Sequence, residues 1–254
     1  MVAGTGGLAY MNWRERSVVI SGAAMGIGRH IALGAAARGA SVAIGDIDQE
    51  GLQQVAEELR SFGNRVVAIH TDVQIEDEVH RLMETTFNEF GSIDYLVNNA
   101  AIVPHFSWGG PRWPKVRDMD LEFWSKVIGT NLQGSFLCSK HAIPFMEHQG
   151  SGHIVNLYGG GGPTPPGGLA YVVTKEALVT LSQYLAEEVR EHNICVMSVD
   201  PGGAIATERA PEEARARMPG PESVGDRFFL AAEAGMEFSG HLVNLVGGEL
   251  TIIR

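Results

Sequence analysis

Short apolar runs separated by longer segments of helical period are what most constrain this chain. The runs Ser17–Ser21, Ser41–Gly45, Val66–His70, Ile93–Asn98, His153–Leu157, Ile194–Val199 and Leu242–Val246 read as buried strands. Between them, helical period marks Ile27–Arg38, Gln49–Phe62, Ile75–Phe90, Leu121–His148 and Ala170–His192, with two short helices within Glu208–Glu233. Alternation on this scale predicts an α/β fold, a seven-stranded parallel sheet flanked by helices on both faces. Right-handed crossovers make it a single doubly wound domain of Rossmann type. No repeat and no linker divides residues 1–254; residues 1–12 read as a flexible tail and 203–233 as a substrate-lid region.

Composition excludes several classes. The formal charge of −11 and only four lysines leave little to offer a phosphate backbone, so nucleic acid is not an expected partner. No apolar stretch approaches a membrane span, and the glycine-rich Met1–Tyr10 is not a signal peptide. Cys138 and Cys195 lack a disulfide or zinc spacing, which makes a reducing cytoplasm the expected location. No histidine–carboxylate cluster has metal-ligand spacing, so no catalytic metal is expected.

The first strand hands over to the first helix through Ser21-Gly22-Ala-Ala-Met25-Gly26-Ile27-Gly28. Gly22 can take a backbone conformation closed to other residues, Gly26 lets the main chain approach a pyrophosphate, and Gly28 permits close helix–strand packing. The helix N-terminus then offers free N–H groups and a positive dipole end to phosphates. Asp46, with Ile47 after it, follows the second strand eighteen residues beyond Gly28. A carboxylate there accepts hydrogen bonds from the adenosine ribose and repels a 2′-phosphate, and neither Ala23 nor Ile47 is basic. NAD is expected rather than NADP.

Tyr171-Val-Val-Thr-Lys175 opens a helix, and residues four apart share a face. Phenol and ammonium can address one ligand, and a nearby cation lowers a tyrosine pKa toward the range useful for acid–base work. Two segments break the strand–helix rhythm and are expected to be loops at the ligand crevice. One is Ile102–Asp120, with His105, Phe106, Trp108 and Trp113; the other is Gly159–Gly168, with six glycines and three prolines. The aromatic residues could wall an apolar pocket or cap a surface. His105 reads more simply as a packing residue than as a catalytic one. Glu208–Met218, followed by Pro219-Gly220-Pro221, reads either as a mobile lid helix with a hinge or as a solvated helix.

The turn Ser21–Gly28, Asp46, Asp72-Val73, Asn98-Asn99-Ala100, Asn131, the Tyr171–Lys175 pair and Pro201-Gly202 occur in one order. In that order the chain resembles the short-chain dehydrogenase/reductase family, over roughly Ser17 to Gly248. The resemblance implies that Asp72 and Val73 lie near the adenine, while Asn98, Asn99, Ala100 and Ala101 border the cofactor; at Ala101 the family usually has glycine. It implies that Tyr171 exchanges the proton with the substrate oxygen and that Lys175 binds the nicotinamide ribose and tunes Tyr171. Asn131 would hold a water of the proton relay, and Pro201, Gly202 and Thr207 would shape the nicotinamide pocket. It also implies a homodimer or homotetramer through 121–148 and 170–192.

The pattern departs at one place. The family usually carries a serine thirteen residues before the tyrosine; counting back gives Tyr158, and aligning the strand gives Gly159. Tyr158 could supply the hydroxyl or simply pack under the loop; Thr164, His105 or the substrate itself could take its part; or turnover could be impaired. Losing one preorganised donor costs on the order of 10²–10³ in rate. The expected function is an NAD-dependent oxidoreductase interconverting a secondary alcohol and a ketone on an apolar small molecule, a cyclic one included. The alternative is an NAD-binding regulatory or scaffold protein.

Overall fold

The computed structural model describes residues 12–104, 112–159, 166–225 and 227–254. Its strands are β1 (Ser17–Ser21), β2 (Ser41–Asp46), β3 (Val66–His70), β4 (Tyr95–Asn98), β5 (Gly152–Leu157), β6 (Ile194–Asp200), β7 (Leu242–Asn244) and β8 (Thr251–Ile252). They form one sheet in the order β3-β2-β1-β4-β5-β6-β7-β8. Seven strands run parallel; β8 pairs antiparallel with β7, Val243 opposite Ile252. The sheet is therefore α/β and largely parallel, and the expected seven strands gain an eighth. Two residues are too few to carry a period, which is why β8 leaves no pattern in the sequence.

Apolar side chains alternate between the two faces, as the pleat requires. Val18, Ile20, Val42 and Ile44 join Ile31, Ala35, Leu52 and Val55 of helices α1 (Gly26–Ala37) and α2 (Gln49–Ser61) on one face. Val19, Ala43, Leu96 and Ile154 meet Leu82, Leu137, Met146 and Leu185 on the other, from α3 (Glu76–Phe90), α5 (Gly134–Gln149) and α6 (Leu169–Glu188). Covering both faces makes the central strands apolar on both sides, the reason these runs are so legible.

The helix expected over 121–148 is interrupted. It consists of α4 (Leu121–Ile128), a π-helical turn at Gly129–Gln133 and α5. Such turns add a residue without ending the helix, so helical period survives while the side chains beyond are re-aimed. The helix expected over 170–192 closes at Glu188, followed by a 3-10 turn and left-handed Asn193. Three short helices, not two, follow β6: α7 (Glu212–Arg215), α8 (Glu222–Gly225) and α9 (Phe228–Ala232). The latter part of the expected lid region, 203–233, is core. Phe228 and Phe229 are buried, and the Tyr95 hydroxyl donates to the Phe228 carbonyl at 2.7 Å.

The strand order reverses between β1 and β4, so the loops leaving their carboxyl ends diverge and open a crevice. The Ser21–Gly28 turn, the ends of β4 and β5, and the segment after β6 all meet there.

Candidate active site

The glycine-rich turn is tied to the end of the neighbouring strand. Ser21 Oγ accepts from the backbone N–H groups of Asn99 and Ala100, both at 3.2 Å, and Asn99 Nδ2 donates to the Ser21 and Gly22 carbonyls at 3.0 and 2.7 Å. These bonds tie the ends of β1 and β4 together across the reversal. Gly22 has φ +69, and a Cβ there would lie 2.6 Å from the Ala100 Cα; one on Gly28 would lie 2.3 Å from the Gly22 carbonyl oxygen. Only glycine permits that approach. Met25 precedes α1 without a side-chain cap, so the first N–H groups of the helix, Ile27 among its opening residues, have no partner within it.

Asp46 closes the far corner, accepting from the Ala24 N–H at 2.9 Å and the Asp48 N–H at 3.0 Å, while Ile47 is exposed. Asp72 Oδ1 accepts from the Gln74 N–H at 2.9 Å, and Val73 is buried beneath Gly134. Ala101 lies beyond Ala100 and, like every described non-glycine residue except Asn193, keeps φ outside the left-handed region, so the usual glycine is not needed. After β6, Pro201 is buried, Gly202 takes φ +91 with its N–H on Asp200, and Thr207 Cγ2 reaches the Gly26 Cα side of the turn.

Around the end of β5, α6 presents Tyr171 and Lys175 on one face. Lys175 Nζ donates to the Leu157 carbonyl at 2.7 Å and stands 5.7 Å from the centre of the Tyr171 ring. Burial pushes the ammonium down to about 8. Burial, with Asp200 and Tyr158 nearby, raises the Tyr171 phenol well above its usual range. The expected lowering by Lys175 is therefore not what this geometry gives: the ammonium spends its hydrogen bond on a carbonyl, and burial opposes both charged forms. Asn131, fully buried on the π turn, accepts from the Ile102 N–H at 2.7 Å and donates to the Ile102 carbonyl and to Thr174 Oγ1. Thr174 in turn donates to the Tyr171 carbonyl at 2.6 Å.

The Tyr158 hydroxyl is bonded outside this group. Its ring packs with Val179 and Leu242, and its hydroxyl donates to Glu176 Oε1 at 2.5 Å, where Arg254 also pairs. Of the two sequence readings, the packing one describes this geometry; the hydroxyl is committed to Glu176. Gly159 is different. A Cβ built on it would lie 2.5 Å from the Tyr171 oxygen, so the phenol tip occupies the space a side chain at 159 would take.

His105, Phe106, Trp108 and Thr164 lie outside the described residues. Trp113 packs edge-to-face on Phe123 and its carbonyl abuts Gly167. Beside it is a cleft of about 350 Å³ lined by Pro114, Lys115, Val116, Pro166, Leu169 and Val172. Among the described residues no three His, Cys, Asp or Glu side chains are grouped to hold a metal, and no helix is long and apolar enough to cross a membrane. Thr174, the Leu157 carbonyl and Glu208, described below, escaped sequence reasoning because their roles depend on which loops the fold brings together.

A doubly wound sheet with a glycine-rich anion cradle beside a buried tyrosine–lysine pair defines a dinucleotide-dependent oxidoreductase. The short chain dehydrogenase model matches residues 16–217, and the chain belongs to that family. The chain is 37% identical to cis-4-hydroxycyclohexanecarboxylate dehydrogenase of Sinomonas cyclohexanicum, over 92% of this chain and 96% of the relative. Its fold matches a short-chain type dehydrogenase/reductase from Mycobacterium marinum with a TM-score of 0.80 at 30% identity, covering 92% of this chain and 94% of that one. A 3-ketoacyl-(acyl-carrier-protein) reductase from Brucella melitensis, solved with NADH, matches with a TM-score of 0.78 at 26% identity, covering 92% and 97%.

Proposed function

We propose that this protein interconverts a secondary alcohol and a ketone on an apolar, cyclic small molecule, using NAD rather than NADP. The observation that carries the reading is the placement of the Tyr171 oxygen against the backbone at the open end of β5, with Lys175 buried beneath it. NAD, when bound, supplies or accepts hydride at its nicotinamide ring. The free N–H groups of α1 would hold the pyrophosphate, and Asp46 would accept from the adenosine ribose. Asp72, Val73, Asn99 and Ala100 would border the adenosine half, and Pro201, Gly202 and Thr207 the nicotinamide half.

Tyr171 would give its proton to the substrate oxygen in ketone reduction and take it back in alcohol oxidation. Lys175 would hold the nicotinamide ribose and supply the positive charge the phenolate needs. Asn131 fixes the Ile102 loop to α6 through Thr174, and so positions the tyrosine as well as any water relayed past it. The family's serine hydroxyl has no counterpart in this reading, because Gly159 carries no side chain and Tyr158 is bound to Glu176. The apolar cleft beside Leu169 and Val172, together with the relative acting on a hydroxycyclohexane acid, supports a ring-shaped substrate. Association through α5 and α6 is consistent with the exposure of Phe136, Val173 and Tyr184.

Replacing Tyr171 with Phe tests this. Turnover of cyclic secondary alcohols, cis-4-hydroxycyclohexanecarboxylate among them, is expected to fall by at least three decades while NADH binding persists; retained turnover refutes the mechanism. The absent hydroxyl at 159 favours a second reading, an NAD-binding member of the family that does not turn over. NADH and a cyclic alcohol binding together without reaction would support it.

A further inference from the structure

We propose that Glu208 is a built-in competitor for the dinucleotide cradle, a carboxylate that must leave the first N–H of α1 before a pyrophosphate can use it. The proposal rests on the reading of Ser21–Gly28 as the dinucleotide site. The Gly26 N–H donates to Glu208 Oε2 at 2.9 Å. Glu208 Oε1 lies 3.5 Å from Arg29 Nη1 and 3.8 Å from His30 Nε2, while the other guanidinium nitrogen of Arg29 pairs with Glu58 at 2.6 Å. On one side of Glu208, Thr207 Cγ2 would touch a Cβ on Gly26 at 3.0 Å. On the other, Arg209 Nη2 donates at 3.0 Å to Asp48, the residue capping α2 two positions after Asp46.

Three consecutive residues thus tie the Gly26 end of the turn to the start of α2. Gly26 opens α1, and its preceding residue offers no side-chain cap, so a carboxylate from 182 residues away satisfies an N–H the turn leaves free. A helix N-terminus favours any anion. A carboxylate oxygen and a phosphate oxygen cannot share one N–H at hydrogen-bond distance, so strap and dinucleotide exclude one another at Gly26. The effective affinity for the dinucleotide is then its intrinsic affinity multiplied by the fraction of molecules with the strap open.

The test is stopped-flow and equilibrium binding of NADH to the full-length protein and to its Glu208→Gln and Glu208→Ala variants. Glu208→Gln removes the charge and keeps an acceptor; it is expected to bind NADH about threefold to tenfold more tightly. Glu208→Ala removes the acceptor as well and should gain at least as much. In both the gain should appear in the association rate, because a ground-state competitor slows entry and leaves dissociation unchanged. Equal affinities, or a gain confined to the dissociation rate, overturn the proposal while the cofactor reading stands. If neither wild type nor variants bind NADH, both fall; if only the variants bind, the strap is confirmed in its strongest form.

Discussion

Placing a hydroxyl beside the tyrosine, by Gly159→Ser, should harm this protein. A hydroxyl beside the tyrosine helps a substrate oxygen elsewhere in the family, so resemblance alone predicts a gain. The geometry predicts the reverse. A Cβ at 159 lies 2.5 Å from the Tyr171 oxygen, whereas ordinary contact begins near 3.4 Å, so the phenol must retreat by about 0.9 Å. The tyrosine ring is rigid and its helix is packed against β5 and β6, so the retreat must come from tilting the ring off its rotamer or shifting the helix. Overpacking of this kind costs about 1–3 kcal/mol. For a chain of this size that lowers Tm by roughly 3–9 °C. A displacement of about 1 Å in a reacting group costs on the order of 10² in rate. Steady-state turnover of a cyclic alcohol and scanning calorimetry on Gly159→Ala and Gly159→Ser separate the two ideas. Both variants should lose about two decades in kcat and melt earlier. A serine variant with wild-type Tm and equal or higher kcat would refute the reasoning, and a serine variant far more active than the alanine one would show that the hydroxyl itself is useful here.

Three further outcomes are expected. If Asp46 accepts from the adenosine ribose as proposed, Asp46→Ala should raise relative use of NADP by about one to two decades, as read from cofactor competition. The folded protein holds the Lys175 ammonium near 8 against its ordinary 10.5, so between those values the unfolded chain binds more protons and stability rises with pH, by up to about 3 kcal/mol. Lys175→Met should abolish that rise in urea titrations at pH 7.5 and 10.5, and an unchanged slope would assign it to other groups. Tyr158→Phe should leave kcat within about twofold and lower stability by about 1 kcal/mol, because it removes one hydrogen bond from Glu176, which keeps its Arg254 pair.

What the sequence reveals here follows from the range of the interaction responsible. Strands covered on both faces write uninterrupted apolar runs, so β1, β3 and β6 are legible almost to the residue. The start of β4 is less so: Ile93 and Asp94 are apolar and acidic neighbours whose backbone is held by Gln149 and by Ser17 rather than by the ladder alone. The π turn at Gly129–Gln133 is invisible because one added residue shifts the helical period too little to show over so short a stretch, although it sets where Asn131 points. Glycine spacing announces a tight turn, since Gly22 and Gly28 are required by contacts within that turn and its immediate neighbour strand. It says nothing of Glu208, whose partner is 182 residues away.

The same distinction decides the site. Tyr171 and Lys175 are one helical turn apart, so their shared face is a local fact and can be read from spacing. Their ionisation is not local. Spacing alone suggests a cation lowering a phenol pKa, but the fold buries both groups and directs the ammonium to the Leu157 carbonyl. The position thirteen residues before the tyrosine is likewise ambiguous in sequence, because a glycine-rich loop lets Tyr158 or Gly159 fall at the strand end. The packing places the Tyr158 ring beside Val179 and Leu242 with its hydroxyl on Glu176, and brings Gly159 against the Tyr171 oxygen. If Gly159 stands at the serine's place, as proposed, the proton-transfer task falls on Tyr171, with the buried Lys175 as the cation beside it and Asp200 opposing the phenolate. Its reactivity should then depend on that lysine more steeply than in a member of the family with the extra hydroxyl.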